Sequence, residues 1–322
     1  MTNKKNANYY IATLAGILSI ILWASNIAFS KSSMEKEGNF LAAFYIYFYS
    51  GITIFVFLIA FQKKVNFFKK LKSLPISYYL KTGIFFVLNN VLLFLAVGMA
   101  HKNEELVIVT LLNYTWPIMI YILGIPLLKL KIPIKILLPG IILSFLGISL
   151  ALLQDYNYEI VGRIIRASDD NLLAYLLAFM TSVSWAVYSN LITKYKSEDD
   201  IAGIPIIFLI SGLIFLIILG MKGQLANVHL SAIVHNTDLL YLIIGPTSLG
   251  YLFWYLAMKN GNRYFVISIS FFIPLLSILI IRIKFHIDIS FLFWIAAMLS
   301  VTGSYLCYKS FQHSIISHEI RE

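Results

Sequence analysis

Ten apolar runs, each about the length of a membrane-crossing helix, follow one another along these 322 residues and leave little sequence between them. They lie near 9–30, 40–61, 76–100, 105–128, 132–153, 172–193, 203–221, 239–258, 264–283 and 289–309. A helix needs about 20 mostly apolar residues to cross the hydrocarbon core. Each run is of that order, and none shows the polar face that a helix in a soluble domain would carry. Charged residues make up 12% of the chain and apolar or aromatic ones 60%. A soluble domain carries about 25% charged residues. The sequence therefore predicts one all-α membrane protein of ten spans, with no room for a separate soluble domain.

Lys4 and Lys5 precede the first run as they would a signal peptide, but the run is too long and lacks a small-residue cleavage site, so it is expected to remain as span 1. The net charge of +10 does not indicate nucleic acid. Lys and Arg punctuate the apolar runs and form neither a long basic surface nor an aromatic RNA-binding motif. Cys307 is the single cysteine and has no sequence partner for a disulfide or a zinc site. With no Walker-type glycine loop either, no ATP, metal or other cofactor is expected. If the N-terminus is cytoplasmic, 16 of the 25 Lys and Arg residues fall on that side and 8 on the other, with Lys81 a turn inside span 3. That bias predicts both termini in the cytoplasm.

The chain also resembles itself. Trp23 and Ala24 in span 1 answer Trp185 and Ala186 in span 6. At an offset of 157, Ala100, Lys102, Asn103 and Pro117 fall on Ala257, Lys259, Asn260 and Pro274, and Gly147 in span 5 answers Gly303 in span 10. The matches keep their order, which predicts two five-helix repeats, 1–155 and 156–322. Because five is odd, the second repeat enters the membrane from the opposite side, and such inverted copies favour alternating access around a central cavity.

All 15 acidic residues fall in loops or at span edges, Glu104 and Glu105 nearest a helix start, and all 6 histidines lie outside the apolar cores. An embedded proton relay or voltage sensor needs charges inside the spans, and an embedded hydrolase needs an acid–base pair or a His cluster. The sequence predicts neither. The spans hold aromatic and neutral polar groups instead. Trp23, Trp116 and Trp185 lie toward the middle of their spans, although lipid-facing tryptophan prefers the interface. Ser25, Asn26, Asn89, Asn90, Tyr188 and Asn190 accompany them, and such groups face other helices or a wet cavity because lipid cannot satisfy them. Any one of these amides reads more readily as interhelical glue, whereas the aromatic and amide set taken together reads as the lining of a cavity. The sharpest local feature is Asn113-Tyr114-Thr115-Trp116-Pro117 in span 4. Pro117 cannot donate to the carbonyl of Asn113, nor Pro274 to that of Ser270, so kinks with freed carbonyls are expected at matching depths. Asn113 is expected about one turn from Trp116 on nearly the same face.

Four strings taken together, Trp23-Ala24-Ser25-Asn26, Asn113-Tyr114-Thr115-Trp116-Pro117, Trp185-Ala186-Val187-Tyr188 and Phe271-Phe272-Ile273-Pro274, resemble the drug/metabolite transporter superfamily, in particular its bacterial aromatic amino acid exporters. The resemblance covers nearly the whole chain and implies ten helices in two inverted halves around a basket-shaped cavity. It implies export of amino acids and related metabolites across the inner membrane, with Trp23, Asn113, Trp116, Trp185, Tyr188, Tyr251 and Trp254 lining the site. Some relatives carry an acidic residue in span 3 where this chain has Asn90, so the solute's polarity and any proton coupling differ in expectation. The leading reading is thus a transporter of bulky neutral amino acids. Its rivals are an importer or exchanger of a nucleoside-like or methylated cofactor, and a membrane enzyme or structural subunit.

Overall fold

The computed structural model describes residues 2–62, 64–154, 156, 159, 161–162, 171–194, 200–229, 231–284 and 290–319. The expected boundary at 155 and the loop charges Lys63, Arg163, Arg166, Lys196 and Arg321 lie outside the described residues. Among the described residues there are helices and loops and no strand. Ten helical segments are long and apolar enough to cross a membrane: Ala7–Asn26, Asn39–Phe61, Ile76–Met99, Glu104–Leu128, Ile134–Leu153, Leu172–Lys194, Asp200–Met221, Thr237–Asn260, Arg263–Ile280 and Phe291–Gln312. These are spans 1 to 10. Ten crossings return the chain to its starting side, so one face carries both termini and is called the terminal face below.

The helix of span 1 runs through Thr2–Glu37 and stops at Gly38, whose φ of 84° lies where a Cβ would be strained. Span 2 starts at once, at Asn39. Between spans 2 and 3, where the sequence offered only loop charges, Lys64–Ser73 forms a short helix that buries Phe67 and exposes Lys69 and Lys72. That division of apolar and basic sides suits a helix lying at the membrane interface.

Lipid is as apolar as the helices, so close backbone approach rather than hydrophobic exclusion holds the bundle together. Spans 5 and 10 show it best. A Cβ on Gly147 would lie 2.3 Å from Ser300 Oγ and 2.7 Å from the Ala296 carbonyl. A Cβ on Gly303 would lie 2.4 Å from the Ser144 amide nitrogen and 2.6 Å from the Gly140 carbonyl. Only glycine fits at either place. Spans 2 and 7 approach similarly, with Gly212 against the backbone of Phe48.

The most extensive span pairs are 5 with 10, 2 with 7, 3 with 6, 1 with 8, 4 with 6, and 1 with 9. Exchanging each span for the one five places along the chain returns the same six pairs. The irregularities pair in the same way. Spans 3 and 8 each contain a π-helical stretch, Tyr79–Gly83 and Ile243–Leu249. Spans 4 and 9 are each interrupted just before Pro117 and Pro274. Span 4 breaks between helices Asn103–Asn113 and Trp116–Leu128, and span 9 tightens to a 3-10 turn at Ser270–Phe272. A proline that lacks an N–H and crowds the preceding turn explains both.

Candidate functional site

Spans 1, 4, 6 and 8 each send tryptophan to the centre of the bundle. Trp23 meets Trp116, Trp185 and Trp254 at ring-centroid distances of 6.3, 5.5 and 5.2 Å. Trp116 meets Trp185 at 6.3 Å and Trp254 at 5.4 Å, both nearly perpendicular. Tyr251 stands 5.1 Å from Trp23 and 5.4 Å from Trp185, and Tyr188 is 5.3 Å from Trp185. Edge-to-face contact brings the positive rim of one ring to the negative face of the next. Six of the residues singled out in the sequence therefore form one cluster, with rings occupying the middle of the bundle.

Local backbone chemistry fixes the cluster. In the π-helical stretch of span 8 the Gly250 N–H bonds to the Gly245 carbonyl and passes over Pro246. The Pro246 carbonyl then accepts the indole N–H of Trp23 at 3.0 Å. Gly250 makes room for that indole, since a Cβ there would lie 2.8 Å from Trp23 Nε1. Trp254 donates to Ser189 Oγ at 3.3 Å. The indole N–H groups of Trp116 and Trp185 make no hydrogen bond among the described residues and are left as donors for something else.

The two amides fare differently. Asn90 is fully buried and donates to Ser211 Oγ at 3.4 Å, which ties span 3 to span 7, while its Oδ1 has no partner among the described residues. Asn89 likewise donates to the Thr181 carbonyl at 3.1 Å, tying span 3 to span 6. Asn113 is half-buried and closes the first piece of span 4. The turn at Tyr114 and Thr115 places it in a different helical piece from Trp116.

The two proline kinks are built from tight turns. In span 4, Tyr114 (φ −70°, ψ 1°) and Thr115 (φ −75°, ψ −6°) form a tight right-handed turn between the two helical pieces. In span 9 the expectation fails, because the 3-10 turn lets the Ile273 N–H reach the Ser270 carbonyl and satisfy it. Thr115 steadies the break in span 4 through hydroxyl contacts to the Leu112 carbonyl at 2.6 Å and to Ser182 Oγ at 2.9 Å.

Phe86 and Phe208 escaped the sequence reading. Phe86 lies 5.2 Å from both Tyr188 and Tyr251 and 4.7 Å from Phe208, walling the cluster on the side of spans 3 and 7. A phenylalanine among 24 in apolar runs carries no signal of its own. Two acids at span edges are also more enclosed than their place in the chain suggested. Glu105 is 4% exposed and accepts from Asn171 Nδ2 and the His101 N–H, each at 3.0 Å. Asp200 is 0% exposed and pairs with Lys259 at 2.7 Å. Among the described residues no group of three or more His, Cys, Asp or Glu side chains converges as metal ligands would.

Residues 10–153 and 172–309 match the family model described as the EamA-like transporter family. The chain is 25% identical to a protein named aromatic amino acid exporter YddG of Escherichia coli (strain K12), over 92% of this chain and 96% of that one. It is 24% identical to the protein of the same name in Salmonella typhimurium, over the same shares of each chain. An uncharacterized transporter, YvbV, of Bacillus subtilis is 22% identical over 88% of this chain and 87% of its own. A solved crystal structure superposes with a TM-score of 0.72 at 21% identity, covering 94% of this chain and 98% of that one, and so shares the fold.

Proposed function

The chain belongs to the EamA-like transporter family of the drug/metabolite transporter superfamily, and from that premise we propose that it exports aromatic or other bulky neutral amino acids by alternating access. It is a membrane transporter for a small-molecule solute, and its family points away from an enzyme. The observation that carries the finer reading is the cluster of four tryptophans and two tyrosines contributed by spans 1, 4, 6 and 8. A planar solute that parts these rings exchanges ring-on-ring contact for ring-on-solute contact, each worth about 0.5–1.5 kcal/mol beyond area burial. The indole N–H groups of Trp116 and Trp185 suit a carboxylate, and the half-buried Asn113 side-chain amide oxygen suits an ammonium group. Trp23, Asn113, Trp116, Trp185, Tyr188, Tyr251 and Trp254 are the residues we assign to this site, with Asn90 as its polar neighbour toward span 7. Pro117 and Pro274 set the bends around it.

Alternating access rests on the two halves, 1–155 and 156–322, being inverted copies. The exchange-invariant span pairs, the π-helical stretches of spans 3 and 8, and the broken spans 4 and 9 support that reading. The Lys and Arg bias of 16 to 8 supports a cytoplasmic terminal face in the inner membrane. The names of the Escherichia and Salmonella relatives agree with amino acid export.

The test is efflux from cells loaded with labelled phenylalanine, tryptophan, leucine, glycine or a nucleoside, alongside thermal shift of the purified protein with each. Efflux and stabilisation greatest for the aromatic pair are expected. A response to the nucleoside alone would refute the amino acid reading.

A further inference from the structure

Spans 7 and 8 meet at the terminal face through a buried ion pair. Asp200 opens span 7 and Lys259 closes span 8, and their charges stand 2.7 Å apart. Tyr255, one turn before Lys259, donates its hydroxyl to Asp200 Oδ1. Tyr78 of span 3 donates to the Asp200 backbone carbonyl at 3.2 Å. Its ring presses on Gly203, where a Cβ would lie 2.7 Å from Tyr78 Cε1. Three spans are thus pinned around one carboxylate of 0% exposure.

The counterpart of this junction is that of spans 2 and 3 at the opposite face. There Asn39 opens span 2 and donates to the Phe94 carbonyl near the end of span 3 at 3.0 Å. That contact is neutral. Beside it lies a cavity of about 190 Å³ lined by Glu37, Asn39, Phe40, Lys222, Gln224 and their neighbours. The junction of spans 7 and 8 is thus held by charge with a tyrosine on either side, whereas its counterpart of spans 2 and 3 is held by an amide next to open space.

We propose that Asp200 and Lys259, braced by Tyr255 and Tyr78, form the gate at the terminal face, and that this pair must part whenever the site opens there. The physical reason is cooperative. Splitting the pair strands two charges at a buried place unless water reaches both, so the gate is stable closed and dry or open and wet, and unfavourable between. Two discrete positions are what a rocking transporter needs from a gate. The inference rests on the alternating-access reading and is indifferent to which solute is carried.

Ser189, which accepts the Trp254 indole N–H, lies one turn from Trp185 toward the terminal face and reports on that entrance. In a Cys307→Ser background, Ser189→Cys should react slowly with a membrane-impermeant maleimide applied to the terminal face of sealed vesicles. Removing both charges together, Asp200→Asn with Lys259→Gln, avoids stranding either one and should raise that rate at least tenfold. The rate from the opposite face should fall or stay the same. An unchanged rate from the terminal face, in protein shown folded by its elution profile, would overturn the gate. A second arm does not depend on that variant folding. Asp200→Cys with Lys259→Cys, joined by a short bifunctional thiol reagent, should stop efflux, while the same variant left unjoined should retain it. Efflux that persists after complete joining overturns the proposal. Labelling uses no solute, so a wrong solute class appears only in the efflux panel and a wrong gate only here.

Discussion

Replacing Gly250 by alanine should unseat Trp23. The added Cβ would stand 2.8 Å from Trp23 Nε1 and 3.2 Å from Cδ1, where ordinary contact is about 3.5–4.0 Å. The indole must therefore retreat by roughly 0.7 Å. Elsewhere the tip of a side chain could swing aside, but this ring is held by Trp116, Trp185, Tyr251 and Trp254. Retreat carries its N–H from 3.0 Å to beyond hydrogen-bond reach of the Pro246 carbonyl. Leaving that buried carbonyl unpaired costs about 1–3 kcal/mol. Alanine recovers about 1 kcal/mol through helix propensity. The net expectation is a loss of up to about 2 kcal/mol in stability, together with a changed ring arrangement. Gly220→Ala serves as the control, because its Cβ meets nothing nearer than Leu225 at 3.5 Å. Thermal unfolding, tryptophan fluorescence and efflux should be measured on both purified variants. Gly250→Ala should unfold earlier, alter the emission spectrum and slow aromatic efflux, whereas Gly220→Ala should match or exceed the native protein. If Gly250→Ala behaved like Gly220→Ala on all three measures, the account of how Trp23 is seated would be wrong.

Trp116→Ala should lower the thermal midpoint and, after normalising to folded protein, slow aromatic solutes about two- to tenfold more than small ones; Trp116→Phe should retain much of the preference. Equal losses across a panel of large and small solutes would leave Trp116 as a packing residue. Gly147→Ala drives a methyl into Ser300 Oγ at 2.3 Å and should cost about 1–3 kcal/mol, read as a fall in thermal midpoint. Adding Ser300→Gly removes that oxygen and should recover part of the loss, whereas no recovery would show that the Ala296 carbonyl sets the limit. A reporter active only in the cytoplasm, fused after Glu322, should be active; normal protein levels without activity would reverse the proposed orientation.

Local chemistry wrote much of this molecule into its sequence. Ten runs of about 20 apolar residues had to be membrane helices, because lipid offers backbone groups no other partner. Pro117 and Pro274 each follow an interruption of their span, because a missing N–H acts on its own turn, although Pro126 and Pro139 are carried within continuous helices. Tryptophans away from the interface had to look inward, and Trp23, Trp116 and Trp185 do converge, joined by Tyr251 and Trp254, which the family resemblance implied.

Partnership, by contrast, belongs to the tertiary structure. Nothing near Ser270 in sequence tells that its carbonyl would be recovered by a 3-10 turn. Phe86 and Phe208 became walls of the ring cluster only when spans 3 and 7 met span 6. Lys259 looked like one more loop charge and Asp200 like a loop acid, yet 59 positions of chain fold back to set them 2.7 Å apart. A charge's sequence neighbourhood records its distance from an apolar run. Whether it faces water or another helix's opposite charge depends on how the spans pack around it, and that packing rests on glycine contacts such as Gly147 on Ser300, made between residues far apart in the chain.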